Sequence, residues 1–398
     1  MKIQALIILK RGREASARRF HPWIFSGAIH STEGSPQDGD WVEVKDAAKN
    51  TLGFGHFQQG SITVRLLSFS KEPPSENIYR DKLTSALHQR MLSRVINDHT
   101  NCYRLTHGEG DGLPGLIIDV YNGVAVIQAH SAGMHKDRQV IAKAVREVIT
   151  EGINSIYYKS QGTLPDKTGN EYLLGMSGLP HVVTEHGNKF YVDWEEGQKT
   201  GFFVDQRENR RLLGEMSPGA KVLNSFCYTG GFSVYALNAG ATLVHSIDAS
   251  GKAIEMTKKN IELNGSDPLI HQCFVADTFD FLKDLPDGQG RKEDAYDIIV
   301  LDPPAFAKHK DAKHQAMKGY QRLNAEAMRV SKSNGIIFTF SCSQVVDRQL
   351  FYDTIVSSAI QSGREIKVLH QLSQPADHPI SIYHPEGEYL KGLVLYVR

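Results

Sequence analysis

The chain has 398 residues, and its 45 basic side chains (Lys and Arg) balance 45 acidic ones. This length allows two or three domains, and hydrophobic and charged fractions of 40% and 23% are ordinary for a globular protein. No apolar run approaches the roughly 18 residues that span a bilayer. Because the net charge is zero, a nucleic-acid partner has to be argued from local basic patches.

The N-terminus and the cysteines indicate the compartment. An apolar stretch at residues 3–9 runs directly into Lys10 and Arg11 without a small-residue cleavage site, so it predicts a first strand and not a signal peptide. None of the four cysteines forms a C-x-x-C pair, which argues against zinc ribbons and redox motifs. We expect a cytoplasmic protein that binds no membrane and no metal.

Residues 1–72 are predicted to form a small β-rich domain, with strands at 4–9, 41–45, 52–57 and 63–67. A basic stretch at 10–19 precedes Trp23 and Phe25. Positive charge beside exposed aromatic rings is how RNA-binding modules hold backbone and unstacked bases. The alternative is a solvated helix face, with both aromatic rings in the core.

Residues 76–188 are predicted to form a middle α+β domain, which begins after a Pro-Pro linker. Helices are expected at 79–96 and 136–150, and strands at 116–120 and 124–129 flank an Asn-Gly hairpin turn. Further strands are expected around 155–159 and 182–185. The glycine-rich segment 108–115 lacks the P-loop spacing and precedes a strand, so we interpret it as turns.

From residue 189 to residue 398, predicted strands alternate with predicted helices. This alternation implies βαβ units, and hence an α/β domain with a doubly wound, Rossmann-like parallel sheet. The expected strands lie at 222–226, 242–247, 271–275, 297–301, 336–340, 366–371 and 391–397.

Polar residues follow successive strands of this sheet, where α/β enzymes build their sites. The turn after the first strand carries Gly230 but lacks the G-x-G-x-x-G fingerprint, which weakens an oxidoreductase interpretation. Asp248 is placed for a ribose, Asp277 for an adenine amino group, and Asp302 ends the fourth strand. Taken singly, each aspartate is better explained as a helix cap. The series as a whole is typical of an S-adenosylmethionine pocket.

The loop at 197–211 precedes the first strand of the sheet. It could fold over the cofactor, with Lys199 near the methionyl carboxylate, or it could simply start a helix capped by Asp205. The full set of predicted cofactor contacts is Lys199, Phe203, Asp205, Asn224, Phe226, Tyr228, Thr229, Gly230, Asp248, Asp277 and Asp302.

Asp302 and Cys342 each follow a strand that is predicted to be buried, so the same rim receives a carboxylate and a thiol. With the cofactor pattern, they point to methyl transfer onto a cytosine base. Cys342 is the predicted catalytic nucleophile, and the alternative is a buried structural cysteine. Cys227 is a rival nucleophile, but its place in the glycine turn suits lining the pocket better.

Four segments, QKTGFFVDQR (198–207), FCYTGGF (226–232), LDPP (301–304) and SCS (341–343), resemble the bacterial ribosomal RNA large-subunit methyltransferase I family. That family makes 5-methylcytosine in large-subunit ribosomal RNA. The resemblance covers the whole chain, and residues 10–27 are similar to a PUA RNA-binding domain. It implies S-adenosylmethionine as cofactor and 23S ribosomal RNA, or a large-subunit assembly intermediate, as partner.

The resemblance favours RNA binding by the basic stretch. The predicted RNA-binding residues are Lys10, Arg11, Arg13, Arg18, Arg19 and Trp23, together with Lys308 and Lys310 in the loop after the Asp-Pro-Pro turn. A solvated loop is the alternative for the last two. His309 and His314 in this loop lack further ligands for a metal.

The mechanism implied for cytosine begins with attack of the Cys342 thiolate on carbon 6. Asp302 is predicted to hydrogen-bond ring nitrogen 3 or the amino group. Two other functions stay open: a purine-nitrogen methyltransferase, which needs no cysteine, and a non-catalytic RNA-binding scaffold for ribosome assembly. The target nucleotide and the oligomeric state are not predicted.

Overall fold

The computed structural model describes residues 2–150, 152–164, 169–287, 296–307 and 310–398. They form two compact units. The first comprises Met1–Val183, Val192–Val204 and Ala376–Gly387, and the second comprises Thr184–Tyr191, Asp205–Pro375 and Glu388–Arg398. The three-domain division at residues 72–76 and 188–189 stays a prediction.

The first unit begins with a six-stranded sheet in the order β2-β6-β5-β4-β1-β3, in which only β1 and β4 run parallel. Strand β2, which has only three residues, and strand β3, whose five residues include one apolar side chain, were not predicted; a 3-10 turn at Ser26–Ala28 joins them. Aliphatic side chains such as Ile7, Val44 and Val64 form its core. The elements are β1 (Ala5–Leu9), α1 (Ala15–Arg18), β2 (Trp23–Phe25), β3 (Ile29–Glu33), β4 (Trp41–Lys45), β5 (Thr51–Phe57) and β6 (Ile62–Ser68).

The same unit contains a five-stranded sheet in the order β11-β10-β9-β8-β7. The glycine-rich segment forms a short 3-10 turn at Gly108–Asp111, and no phosphate loop. The elements are α2 (Ile78–Leu92), β7 (Cys102–His107), β8 (Leu116–Tyr121), β9 (Val124–Ala129), α3 (Ala132–Lys136), α4 (Arg138–Val148), β10 (Ser155–Tyr158) and β11 (Glu171–Leu174). A hairpin of β12 (His181–Glu185) and β13 (Asn188–Val192) follows.

The second unit holds a seven-stranded sheet in the order β16-β15-β14-β17-β18-β20-β19. Strands β14, β17 and β18 are almost fully buried, and β17 and β18 are largely apolar, as expected when helices cover both faces of a parallel sheet. The elements are α5 (Arg207–Met216), β14 (Lys221–Ser225), α6 (Gly231–Asn238), β15 (Leu243–Asp248), α7 (Gly251–Leu263), β16 (His271–Val275), α8 (Thr278–Asp284), β17 (Ile298–Leu301), α9 (Lys313–Val330), β18 (Gly335–Ser341), α10 (Arg348–Ser362), β19 (Ile366–Ser373) and β20 (Lys391–Val397).

The sheet is not parallel throughout. Strands β16, β15, β14, β17 and β18 are parallel, whereas β20 runs antiparallel to both β18 and β19. Apolar strand patterns report burial and not direction, so the reversed strand could not be recognised from its sequence. Strand β20 places its first residue, Lys391, opposite Ser341 at the end of β18.

Candidate active site at the carboxyl edge of the seven-stranded sheet

The strand register brings the predicted residues to one edge. Ser225 at the end of β14 lies opposite Leu301 of β17, and Leu301 lies opposite Thr339 of β18. The residues that follow, including Asp302 and Cys342, therefore emerge on the same side of the sheet. Strands β15 and β16 are added to one side of β14, and β17 and β18 are added to its other side. The order of the strands therefore changes direction between β14 and β17. Such a switch point opens the crevice in which doubly wound folds bind ligands.

The loop after β14 has an unusual backbone. Phe226, Tyr228 and Gly230 all have positive φ angles, of 57°, 48° and 77°. Left-handed conformations cost free energy for residues with a Cβ atom, and they persist where the surroundings enforce them, often at functional sites. Here the enforcing contacts are a hydrogen bond from the Tyr228 amide to Asp248 Oδ2 (2.9 Å) and one from Thr257 Oγ1 to the Tyr228 carbonyl (2.9 Å).

A buried polar network lies beside this loop. Asn224 Nδ2 donates to Ser233 Oγ at 2.8 Å, which lies 2.7 Å from Ser246 Oγ, which in turn lies 2.9 Å from His271 Nε2. Asn224 Oδ1 is buried and accepts no hydrogen bond from any residue in the described part of the chain. A buried acceptor without a donor carries a desolvation cost, which a bound ligand with N–H or O–H groups could relieve.

Two of the predicted aspartates are held by backbone amides. Asp248 Oδ1 accepts from the Ser250 amide at 2.9 Å, in addition to the contact of Oδ2 with Tyr228. Asp277 is the N-cap of α8, and its Oδ1 accepts from the amides of Phe279 and Asp280. The capping interpretation is therefore correct for Asp277 but wrong for Asp248, because the N-cap of α7 is Ser250. Carboxylate oxygens carry further lone pairs, so these backbone contacts leave both groups able to accept from ribose or adenine.

Asp205 does not cap the helix that follows it. The helix α5 starts at Arg207 and its N-cap residue is Gln206. Asp205 is instead buried and accepts a hydrogen bond from the Tyr389 hydroxyl at 2.7 Å. Capping by Asp205 is thus wrong, while its contact with the cofactor stays a prediction.

Lys199 and Phe203 belong to the first compact unit. There the Lys199 ammonium lies 4.6 Å from the centroid of the Phe203 ring, a cation–π contact, and Lys199 has a positive φ of 51°. Their roles in cofactor binding stay predictions.

Cys342 is half-buried, and its Sγ lies 4.0 Å from the carbonyl oxygen of Pro303, the residue after Asp302. The pKa of the nearby Tyr320 is raised to about 12, mainly by burial, and charge on Cys342 and Asp302 acts in the same direction. Tyr320 thus lies within electrostatic reach of both groups. The strand register and the Sγ–Pro303 contact place the predicted nucleophile beside the turn that carries the predicted carboxylate.

The rival thiol has a different environment. Cys227 is only 6% exposed, and its Sγ lies 3.6 Å from Thr257 Oγ1. Burial raises the pKa of the Cys227 thiol far above its ordinary value. A thiol of this kind stays protonated and is a poor nucleophile.

Sequence reasoning missed two residues beside Cys342. Tyr320 on α9 accepts a hydrogen bond from Ser341 Oγ at 3.0 Å, and Lys391 on β20 donates to the Ser343 carbonyl at 2.7 Å. No local pattern marks the tyrosine. Lys391 does have a signal, because it is one charged residue in an apolar run from Leu390 to Val397.

The predicted RNA-binding residues of the N-terminal stretch are mostly at the surface. The side chains of Lys10, Arg11, Arg13, Arg18 and Arg19 are exposed. Arg18 also forms an ion pair of 2.7 Å with the buried carboxylate of Asp46. Lys308 lies outside the described residues, and Lys310 begins a 3-10 turn.

The aromatic residues of this stretch differ from one another. Phe25 is 46% exposed, so its placement in the core is wrong. Trp23 is half-buried, its indole Nε1 donates to Glu109 Oε1 at 2.9 Å, and its ring packs against His384. His384 also forms a group with His21 and Glu386, whose potential ligand atoms lie within 4.8 Å of one another. The sequence spacing did not suggest this group.

Comparison with known proteins identifies the family. A family model described as S-adenosylmethionine-dependent methyltransferase matches residues 103–380, and one described as PUA-like domain matches residues 7–69. A protein of Aeromonas hydrophila named ribosomal RNA large subunit methyltransferase I is 39% identical over the full length of both chains. The chain belongs to the ribosomal RNA large subunit methyltransferase I family.

Solved structures of other methyltransferases share the fold of this family member. An S-adenosylmethionine-dependent methyltransferase from Streptococcus mutans superimposes with a TM-score of 0.82 at 23% identity, and a methyltransferase complexed with SAH with a TM-score of 0.83 at 24%. Both comparisons cover the whole of each chain. The predicted fold class and the resemblance are confirmed, with a PUA-like domain followed by a methyltransferase fold.

Family membership makes S-adenosylmethionine the cofactor, as predicted. The edge of the sheet fits this group, since it offers carboxylate acceptors in Asp248 and Asp277 and the buried oxygen of Asn224. Of the helices in the described part of the chain, none has the length and apolarity to cross a membrane.

Proposed function

We propose that this chain methylates carbon 5 of a cytosine in 23S ribosomal RNA through a covalent adduct with Cys342. The observation that carries this proposal is the half-buried Cys342 thiol, 4.0 Å from the Pro303 carbonyl and hence beside Asp302. Its relatives named ribosomal RNA large subunit methyltransferase I support an RNA substrate from the large subunit. The PUA-like match at residues 7–69 supports RNA binding by the N-terminal domain.

Covalent attack solves a problem of reactivity. Carbon 5 of cytosine is a poor nucleophile, and S-adenosylmethionine, when bound, supplies an electrophilic methyl group. The Cys342 thiolate gives its electron pair to carbon 6, and the electrons of the ring double bond become available at carbon 5. Carbon 5 bonds to the methyl group, and the sulfur–methyl bond breaks to leave S-adenosylhomocysteine. A base then removes the proton from carbon 5, the double bond re-forms, and the thiolate leaves.

The carboxyl group of Asp302 is placed to assist this attack. It emerges beside Cys342, where it can hydrogen-bond the amino group of the base or, when protonated, donate to ring nitrogen 3. Donation to the ring draws electrons towards nitrogen 3 and makes carbon 6 more electrophilic. The prolines at 303 and 304 restrict the backbone of the turn and so help to aim the carboxyl group.

The cofactor is held by the residues of the first three strand ends. Asp248 accepts from the ribose, Asp277 from the adenine amino group, and the loop of Phe226 to Gly230 forms the wall of the pocket. The remaining contacts in this proposal are those predicted from the sequence, including Lys199, Phe203, Asp205, Asn224 and Thr229.

The target base must leave its stack to reach the thiol. We assign binding of the surrounding RNA to the exposed basic stretch and to Lys308 and Lys310, with residues 1–72 as the RNA-binding domain, 76–188 as the middle domain and 189–398 as the methyltransferase domain. Contacts with phosphates from exposed basic side chains would orient the substrate without reading its sequence.

Mass spectrometry of 23S ribosomal RNA from a deletion strain would report the type and position of the base together. Complementation with the wild-type gene should restore one 5-methylcytosine, whereas Cys342→Ala should not. The matched control is Cys273→Ala, another partly exposed thiol, which should restore the methyl group. Restoration by Cys342→Ala, or a methylated purine at the affected site, would refute the proposal.

Direct trapping of the adduct gives a second test. RNA that contains 5-fluorocytidine cannot lose a proton from carbon 5, so the protein–RNA bond should persist on a denaturing gel. The wild-type protein should form the cross-link and the Cys342→Ala variant should not.

A further inference from the structure

Lys391 is an unusual residue in the second unit, because its side chain is charged and only 2% exposed. It is the first residue of β20, and the antiparallel register places it opposite Ser341, next to Cys342. Its Nζ donates to the Ser343 carbonyl at 2.7 Å. Since a carbonyl is neutral, this hydrogen bond holds the ammonium in place without neutralising its charge. The two residues that flank Cys342 are thus both linked to Lys391.

We infer that Lys391 is a positioning residue that keeps the Cys342 thiol ionised near neutral pH by holding a buried ammonium beside it. The inference rests on the proposed function for its catalytic meaning, since only a nucleophilic Cys342 requires the thiolate. Thiols beside Lys or Arg ionise below their ordinary range, because the cation stabilises the thiolate.

The groups around Cys342 and Lys391 explain why ionisation of the thiol requires an ammonium nearby. Asp302 and Tyr320 lie near the thiol; the carboxylate of Asp302 disfavours a second negative charge, and Tyr320 stays neutral because its pKa is raised to about 12. Without a cation, burial and Asp302 would both hold the Cys342 thiol in its protonated form.

The charges of the other groups near Lys391 largely cancel one another. Glu388 forms an ion pair of 2.6 Å with Arg348. The pKa of Lys391 is lowered to about 8, mainly by burial; Arg348 acts in the same direction, and Glu388, Cys342 and Asp347 act against it. Lys391 is therefore charged at neutral pH and loses its proton in mildly alkaline solution.

The test is the pH dependence of Cys342 alkylation by iodoacetamide in the full-length protein, followed by mass spectrometry of the Cys342 peptide. In the wild type, the rate should rise with a midpoint below the value of roughly 8.5 for an ordinary thiol. In Lys391→Met the midpoint should rise by about one pH unit, which slows alkylation at pH 7 about tenfold. Lys391→Arg should keep the low midpoint, since it keeps the charge.

Cys273 in the same digest is the internal control, and its alkylation rate should be equal in all three proteins. A midpoint at or above the ordinary value in the wild type would overturn the inference even if Lys391→Met failed to fold. So would an unchanged midpoint in a folded Lys391→Met variant.

Turnover of Cys342→Ala separates this inference from the proposed function. If Lys391→Met raises the midpoint of Cys342 alkylation but Cys342→Ala still methylates RNA, the effect of Lys391 on the thiol is supported and the covalent mechanism is refuted. If Lys391→Met leaves the alkylation midpoint unchanged but Cys342→Ala is inactive, the covalent mechanism is supported and the inferred role of Lys391 is refuted.

Discussion

The sulfur of Cys342 lies 4.0 Å from the carbonyl oxygen of Pro303, and these residues lie beyond the ends of two neighbouring strands, β18 and β17. The contact joins the SCS and Asp-Pro-Pro segments, which are 37 residues or more apart in the chain. It places the thiol beside the turn that carries Asp302, at the carboxyl edge of the sheet. The chemistry of the site therefore depends on the register of two adjacent strands.

Asp302 should act in chemistry more than in cofactor binding. We expect Asp302→Asn to lower kcat by about a hundredfold or more, because an amide can neither carry the negative charge nor transfer a proton. The Kd for S-adenosylmethionine, measured by calorimetry, should change little. Asp280→Asn, an exposed change on α8, is the control and should leave both quantities unaltered. Equal losses in kcat and in cofactor affinity would contradict this assignment.

The turn at Gly230 should tolerate no side chain. Its φ is 77°, and a Cβ atom there would lie 2.6 Å from Thr257 Cγ2. The left-handed backbone alone costs alanine about 1–2 kcal/mol, and the clash adds to this. We expect Gly230→Ala to lower the free energy of unfolding in urea and to weaken S-adenosylmethionine binding.

A matched glycine separates the two costs of that substitution. Gly240 also has a positive φ, of 93°, but a Cβ atom there would meet nothing within 4 Å. Gly240→Ala should therefore show the backbone cost alone and keep cofactor affinity. Adding Thr257→Ser to Gly230→Ala removes the clashing methyl group and should recover part of the loss; no recovery would show that the clash is unimportant.

His271 should contribute to acid sensitivity. Burial lowers its pKa to about 4, with smaller effects from His245 and Lys258. In the unfolded chain a histidine takes up a proton near pH 6.5, so the unfolded state binds more protons between about pH 6.5 and pH 4. Stability should therefore fall as the pH falls through this window, by about 1–2 kcal/mol after allowance for partial exposure.

The measurement is the free energy of unfolding in urea at pH 7 and at pH 5. His271→Gln keeps a hydrogen-bonding group towards Ser246 and should reduce the difference between the two values. His314→Gln, an exposed histidine in the same unit, should leave the difference as in the wild type. If His271→Gln behaves like His314→Gln, the buried histidine is not a source of acid sensitivity.

The exposed arginines of the N-terminal stretch should bind RNA by charge. Replacement of Arg11, Arg13 and Arg19 by alanine should weaken RNA binding. The slope of the logarithm of the binding constant against the logarithm of the salt concentration should become less steep by about 2, since each phosphate contact with single-stranded RNA contributes about 0.7. Arg18 is kept because it pairs with buried Asp46. Replacing three exposed lysines elsewhere, Lys143, Lys259 and Lys367, gives the same change in net charge. An equal effect of the two triple variants would argue against a local RNA site.

Much of the architecture was accessible from local patterns. The alternation of apolar strands with helices from residue 221 onward depends on neighbours in the chain, and so does the hairpin at Asn122-Gly123. The motifs at the strand ends were also recognisable, because a parallel α/β sheet always presents its strand ends at one edge. These features gave the fold class, the cofactor and the candidate residues Asp302 and Cys342.

Tertiary structure alone decided which side chains meet. The burial of Cys227 and the partial exposure of Cys342 depend on residues far away in the chain, as does the hydrogen bond from Tyr389 to Asp205. The reversed direction of β20 brings Lys391 to the two residues that flank Cys342, and no periodicity encodes that direction. Apolar patterns record how much of a segment is buried, whereas proximity and ionisation depend on the register between segments that are distant in sequence.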